Sequence, residues 1–209
     1  MYKLYGRRQT GSMVVEAALE EIGAPYETVT VKRDTAKQPA ADYYDINPLG
    51  QVPSLRLPDG SIMTESAAIT IYLCDRHAEA GLAPSPDSDL RACFLRWLIF
   101  LATNVYTSDL RVYYPHRYTA RPEESEAVKA AALEAMAREW KIYADALGAK
   151  TYTLGDRFSI LDVYAAMLAT WNLDVPAFFR LHPNVKALYD RVVTRPAVAR
   201  VWQRHDVRF

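Results

Sequence analysis

The sequence predicts a mixed α/β segment followed by an all-α segment. Three observations carry this. Short alternating β-type runs interleave with helical periodicity only before about residue 85. Beyond that point the apolar residues recur only with the helical period. Between the two lies a Gly- and Pro-punctuated stretch, Gly81 to Pro86, that reads as a linker. A chain of 209 residues is long for one small domain and ample for two, so domains are expected over 1–80 and 87–209.

In the first segment, Tyr2 to Tyr5 is a brief β-type run. After Gly11-Ser12 comes a helical stretch with Val15, Ala18, Leu19 and Ile22 on one face and Glu16, Glu20 and Glu21 on the other. Gly23 stops it where a left-handed backbone favours glycine. Tyr26 to Val31 alternates again, so the helix serves as a crossover in a parallel βαβ unit. A loosely structured segment follows. Val52 to Leu57 is the next strand, and Pro58-Asp59-Gly60 turns it into Ser61-Ile62-Met63. A helix from about Ser66 to Arg76 closes the segment.

In the second segment, 88–118 reads as one long helix with Phe94, Trp97, Leu98, Leu101 and Val105 on a shared face. Pro122-Glu123-Glu124 opens the next, with proline in its first turn and acids where the helix dipole favours them. Its apolar positions are Val128, Ala132, Met136, Trp140, Tyr143 and Leu147, and Gly148 ends it. Helices are also expected over 160–171 and 184–194, with a short one after Pro196.

Composition excludes several partners. Lys plus Arg number 25 and Asp plus Glu number 25, so no overall field draws the chain to nucleic acid or an anionic membrane. Arg7-Arg8 interrupts any signal-peptide core at the N-terminus, and no apolar run approaches the roughly 20 residues that span a bilayer. Two cysteines, Cys74 and Cys93, support neither a disulfide framework nor a zinc site, and they suit a reducing, cytoplasmic setting. None of the four histidines sits at metal-ligand spacing, so no metal is expected; His77, His182 and His205 read as surface or helix-end residues.

The most specific segment is Asn47-Pro48-Leu49-Gly50-Gln51-Val52-Pro53-Ser54-Leu55, with Glu65-Ser66 further on. Proline at a strand start cannot donate to the ladder. A cis Val52–Pro53 bond would turn the chain and leave the Val52 N–H and C=O facing outward, free to pair with an extended peptide. Glu65-Ser66 opens a helix, and the Ser66 hydroxyl with the nearby N–H groups suits a carboxylate. The same residues also suit a plain hairpin and capped helix with no ligand.

These motifs resemble the bacterial-type cytosolic glutathione S-transferase family. The run NPLGQVPSL, the Pro-Asp-Gly hairpin and TESAAITIYL are similar to that family's glutathione-binding half. The opening LYG…GS…VEAALEEIGAPYETV resembles its first βαβ segment. Leu154 to Asp162 resembles the helix-start motif of its C-terminal domain, where Ser159 and Asp162 are spaced as a capping box. The resemblance implies a thioredoxin-like N-terminal domain, a C-terminal helical bundle, a homodimer, and a role in detoxification with glutathione as co-substrate. It also implies that Val52, after Gln51 and before Pro53, pairs with the cysteinyl part of glutathione. Glu65 and Ser66 would hold the γ-glutamyl end, with Gln51 beside it and Gln38 reaching the glycine carboxylate.

Family members place a Tyr, Ser or Cys near the end of the first strand or the start of the first helix. This sequence instead has Arg7-Arg8-Gln9-Thr10-Gly11-Ser12, with no cysteine, and Tyr5 belongs to the strand. Thr10 and Ser12 are the remaining candidates to activate the thiol, and either could equally be a helix N-cap. A thiol with pKa about 8.5 is roughly 3 % ionised at pH 7. Lowering its pKa by about two units needs about 2.7 kcal/mol. One charge-assisted hydrogen bond contributes about 1.5–3 kcal/mol, so a hydroxyl suffices and a backbone N–H could partly substitute.

An electrophile pocket is expected between the halves. Tyr106, Arg111, Tyr113, Tyr114 and His116 gather toward the end of the first helix of the second half. The function expected is transfer of the glutathione thiolate to a small hydrophobic electrophile. Two alternatives remain: a non-catalytic glutathione- or partner-binding protein, or a glutathione-dependent dehalogenase, isomerase or peroxidase on the same scaffold.

Overall fold

The computed structural model describes residues 1–33 and 38–207. In chain order the elements are β1 (Tyr2–Gly6), α1 (Ser12–Ile22), β2 (Tyr26–Thr30), β3 (Ser54–Arg56), β4 (Ile62–Met63) and α2 (Ser66–Arg76). Then follow α3 (Arg91–Phe100), α4 (Tyr106–Tyr113), α5 (Ser125–Leu147), α6 (Ile160–Ala169), α7 (Val175–Leu181), α8 (Pro183–Val193) and α9 (Pro196–Arg204). The chain forms two compact units. One is residues 1–86 with a C-terminal segment starting at Val192, and the other is Asp87–Arg191. The sequence division kept everything after residue 87 together, whereas α9 packs in the first unit.

In the first unit, the described residues form a four-stranded mixed sheet in the order β2-β1-β3-β4, a thioredoxin-like arrangement. β1 pairs parallel with β2 (Tyr2 opposite Tyr26) and antiparallel with β3 (Tyr5 opposite Ser54). β3 pairs antiparallel with β4, Leu55 opposite Met63. α1 is the expected crossover, and Gly23 ends it at φ 73°. Its apolar residues Met13, Val14, Val15, Ala18 and Leu19 are buried, and Ile22 at its end is half-buried. Its acidic face is covered too: Glu16 is only 5 % exposed, because α9 lies on it. The segment before β3 is less loose than expected, with a 3-10 turn over Ala41–Asp45 that buries Tyr43.

The second unit is helical. The single helix expected over 88–118 is realised as α3 and α4, joined by a π-helical turn at Leu101–Val105. Polar side chains compete for the ladder there: the Thr103 hydroxyl donates to the Ile99 carbonyl (2.8 Å) and Asn104 Nδ2 to that of Phe100 (3.2 Å). α5 follows a 3-10 turn at Pro122–Glu124 and buries Ala132, Met136, Trp140, Tyr143 and Leu147 of the face read from the sequence, while Val128 at its start is half-buried. Every residue of α6 is buried, so it is the centre of this unit's core. α7 was not foreseen. Its signals are short: Asp174 accepts from the Ala177 N–H (2.8 Å), and a proline sits in its first turn.

The Ser159–Asp162 box is made and extended. Asp162 Oδ2 accepts from the Ser159 N–H (2.8 Å), and Oδ1 accepts from both the N–H (2.8 Å) and the hydroxyl (2.7 Å) of Thr153. With its one proton given to Asp162, the Thr153 hydroxyl accepts from Tyr143 at 2.6 Å. Asp162→Ala leaves these buried donors without an acceptor. A loss of about 2–4 kcal/mol is expected, measured by urea denaturation.

Asp109 on α4 is the opposite case. It is 3 % exposed, and neither carboxylate oxygen has a hydrogen-bond partner among the described residues. Burial therefore holds its carboxyl well above the usual range. For a raised carboxyl, the stability is intact below the unfolded pKa of about 3.9 and falls as pH rises through the folded value. Asp109→Asn is expected to raise the melting temperature at pH 7, with the gain fading toward pH 4.

Candidate functional site

Strand directions bring the candidate segments of the first unit to one end of the sheet. β1 ends at Gly6, alongside the end of its parallel neighbour β2 and beside Ser54, where antiparallel β3 begins. β4 ends at Met63 opposite Leu55, so the chain leading into α2 leaves the sheet at the end where β3 begins. The loop before α1, the turn before β3 and the start of α2 therefore share this end. Gln38 follows the same end of β2; it is exposed, next to residues 34–37, which lie outside the described set.

Two residues build the turn before β3. Asn47 is buried, accepts from the Leu49 N–H through Oδ1 (3.0 Å), and donates through Nδ2 to the Gln51 carbonyl (2.8 Å). The Tyr43 hydroxyl also donates to that carbonyl (2.7 Å) and accepts from Ser54 (2.8 Å). Gly50, at φ 63°, provides the left-handed step between them. The Val52–Pro53 bond is cis, as anticipated, and Thr64–Glu65 is cis as well. No described residue hydrogen-bonds the Val52 N–H or C=O. Gln51 is exposed, Val52 half-buried and Pro53 buried. Glu65 is exposed just before α2, and Ser66 is its buried first residue.

The loop between β1 and α1 closes on one acceptor, the Arg7 carbonyl. The hydroxyls of Thr10 (2.8 Å) and Ser12 (2.9 Å) both donate to it, and their oxygens lie 2.9 Å apart. Ser12 is only 2 % exposed, tucked under Gly6, where an added β-carbon would come within 2.6 Å of its Oγ. Thr10 is half-exposed. Neither hydroxyl caps α1 in the ordinary way: Gly11 holds the N-cap position with no side-chain bond, and Thr10 Oγ1 only approaches the Ser12 N–H at 3.4 Å. No described residue accepts from the Thr10 or Gly11 N–H. Tyr5 lies in β1, as read.

This loop is fastened from the far end of the chain. The Gln9 N–H donates to His205 Nδ1 (3.1 Å), and the Gln9 side chain donates to the Asp206 carbonyl (3.1 Å). Since Nδ1 is an acceptor, His205 carries its proton on Nε2 and donates it to Glu16 Oε2 at 2.7 Å. Arg204 grips the other oxygen of Glu16 (2.8 Å) and also Glu20 (2.6 Å); Arg200 pairs with Glu20 (2.8 Å) and Arg195 with Glu21 (2.7 Å). His205 is thus 6 % exposed, so it stands at a helix end but not at the surface. His182, at the end of α7, is buried likewise.

In the helical unit, Tyr106 and Tyr113 both meet Trp171: Tyr106 edge-on at 4.9 Å, Tyr113 by a hydroxyl bond to its carbonyl (2.7 Å). Arg111 lies over Tyr118 (5.1 Å), and Tyr114 is covered by Arg117 (4.2 Å) with the exposed His116 at its edge. These contacts fall in three sets, around Trp171, Tyr118 and Arg117. No His, Cys, Asp or Glu grouping suited to a metal occurs among the described residues, and no described helix is long and apolar enough to cross a membrane.

Residues 12–76 match the glutathione S-transferase N-terminal domain family, and 99–196 match the C-terminal domain family. The "Uncharacterized GST-like protein YncG" of Escherichia coli K12 is 30 % identical over 208 residues, covering 99 % of this chain and 100 % of that protein. The chain belongs to the glutathione S-transferase family. Glutathione S-transferase GstA of Escherichia coli O157:H7 is 28 % identical over 94 % of both chains. Among solved structures, a glutathione transferase homolog from Sulfitobacter with bound glutathione superposes with TM-score 0.88 at 29 % identity, over 98 % of each chain. A glutathione transferase from Methylococcus capsulatus gives 0.85 at 29 % identity over the whole of both.

Within this family member, sequence reasoning passed over Tyr43, Gln9 and the partners of Glu16. Asn47 stood in the quoted motif, and its Asn-Pro-Leu-Gly spacing was a turn signal. Nothing in the sequence pairs Glu16 with His205.

Glu20 is held down to about 2: burial pushes its carboxyl up, but the hydrogen bonds from Arg200, Tyr26 and Arg204 outweigh it. For Glu16, burial is likewise outweighed, here by His205 and Arg204, and its carboxyl is lowered too. Lowered carboxyls supply stability that is present above their unfolded value near 4.5 and lost as pH falls toward about 2. The urea midpoint should therefore fall across that window. Glu20→Gln should start lower at pH 7 and decline less steeply.

Proposed function

We propose that this glutathione S-transferase binds glutathione at the shared sheet end and transfers its thiolate to a small hydrophobic electrophile. The unpaired Val52 main chain supports peptide pairing, in which the N–H and C=O of Val52 take up the cysteinyl unit as an added strand would. Glu65 accepts from the γ-glutamyl ammonium. Ser66 and the first N–H groups of α2 donate to the neighbouring carboxylate. Gln51 flanks that end, and Gln38 serves the glycine carboxylate.

One observation favours Thr10 over Ser12: the two share the Arg7 carbonyl, but Thr10 is half-exposed and Ser12 is buried. If Thr10 turns its proton toward a thiolate, Ser12 still satisfies the Arg7 carbonyl, so the rotation orphans no buried acceptor. The unpaired Gly11 N–H and the positive end of α1 add to the same stabilisation. Thr10 therefore keeps the sulfur ionised and oriented while it forms the bond to carbon. The electrons of the bond that breaks leave with the electrophile's leaving group or move into its conjugated acceptor. Tyr106, Arg111 and Tyr114 are the residues proposed to contact the electrophile. A homodimer in the cytoplasm completes the reading.

The second reading, glutathione binding without turnover, draws on the same bonds, since both hydroxyls are already engaged with Arg7. Conjugation rates over a panel of electrophiles, with ultraviolet titration of the bound thiolate, separate the two. Thr10→Ala is expected to lower kcat at neutral pH by about 10- to 100-fold, the loss of one charge-assisted hydrogen bond, and Thr10→Ser to retain most of it. Ser12→Ala should cost less activity than Thr10→Ala. The reverse order would transfer the role to Ser12. Saturable glutathione binding with no turnover of any electrophile would favour the second reading.

A further inference from the structure

We propose that His205 is a positioning residue for the thiolate site, holding Gln9 so that the adjacent Thr10 hydroxyl and Gly11 N–H point where the sulfur will lie. The proposal rests on the role given to Thr10 above. Gln9 has φ 52°, a left-handed backbone that residues with a β-carbon seldom adopt unless their surroundings hold them there. Two bonds hold it, and both come from the chain's last described turn: His205 Nδ1 to the Gln9 N–H, and the Asp206 carbonyl to the Gln9 side chain. The left-handed step at Gln9 precedes Thr10 directly, so it sets the direction in which residues 10 and 11 leave the loop.

The imidazole is itself fixed. Its Nε2–H is given to buried Glu16, whose other oxygen is gripped by Arg204, so the ring cannot turn without breaking a buried charge-assisted bond. One ring thus joins α1, the segment after α9 and the loop that α1 follows. Its ring makes no hydrogen bond or ion pair to Thr10 or to any residue proposed to bind glutathione; the bond it makes to the loop is the one to Gln9.

Two substitutions separate positioning from bulk stability. Asparagine can place an amide oxygen near the Nδ1 position and still accept from Gln9, while giving up Glu16. Glutamine can place its amide near Nε2 and still donate to Glu16, while giving up Gln9. Glu16 keeps Arg204 in both. In His205→Gln the apparent pKa of the bound glutathione thiol should rise by about one unit, from about 6.5 to about 7.5, which leaves about threefold less thiolate at pH 7. Its kcat should fall in proportion with the glutathione KM little changed, and the Gln9 amide should exchange hydrogen faster in the free protein. His205→Asn should stay near wild type in all three. Matching behaviour of the two variants overturns the proposal. So does faster Gln9 exchange in His205→Gln with the thiol pKa unmoved, since the loop would then be held without being aimed. A wild-type protein that fails to lower the thiol pKa would instead remove the thiolate reading and, with it, any role for His205 toward Thr10. In that case Gln9 exchange would still report whether His205 holds the loop.

Discussion

A carboxylate buried on the first helix constrains the rest of the first unit. Glu16 lies on the same helix as the residues that pack under the sheet, and its burial is tolerable only because charge and hydrogen bonds meet it there. His205 and Arg204 supply both, from the opposite end of the chain. Their grip, together with the buried apolar residues Ala197, Val198, Val201 and Trp202 of α9, holds the C-terminal segment in the N-terminal unit. It also brings His205 against Gln9, so a stability element reaches the loop that carries the candidate thiolate donor.

The sheet end proposed to bind glutathione depends mostly on backbone. Val52 offers its main chain, α2 offers its first N–H groups, and Gly11 offers another N–H at the start of α1. Side chains mainly hold these backbones in place: Asn47 and Tyr43 share the Gln51 carbonyl, and Ser12 secures the Arg7 carbonyl. Such a site can keep its geometry while its surface residues vary, because a main-chain donor does not depend on the side chain above it.

How much could be read from the sequence follows from the range of each interaction. Local patterns were legible: the βαβ crossover, the Pro-Asp-Gly hairpin, Gly23 as a stop, the Ser159–Asp162 box and the buried stripe of α5. The turn around Val52–Pro53 was legible because its motif is contiguous. Three features were not. The π turn in 101–105 arises from side-chain competition with a ladder that apolar periodicity does not register. The contacts of Tyr106, Tyr113, Arg111 and Tyr114 depend on Trp171, Tyr118 and Arg117, which a face of one helix cannot reveal. The burial of Glu16 depends on residues nearly the whole chain away, which the local pattern of α1 cannot pair with it. Between Thr10 and Ser12 the sequence offered two equivalent hydroxyls; burial beneath Gly6 is what makes them different.

The most direct measurement is a crystal structure of the protein with glutathione bound. The sulfur should lie within hydrogen-bonding distance of Thr10 Oγ1 and the Gly11 N–H, with the cysteinyl unit paired to Val52 and the Gln9–His205 bond intact. A sulfur held by Ser12, or one remote from the Thr10–Gly11 turn while the peptide still pairs with Val52, would contradict it.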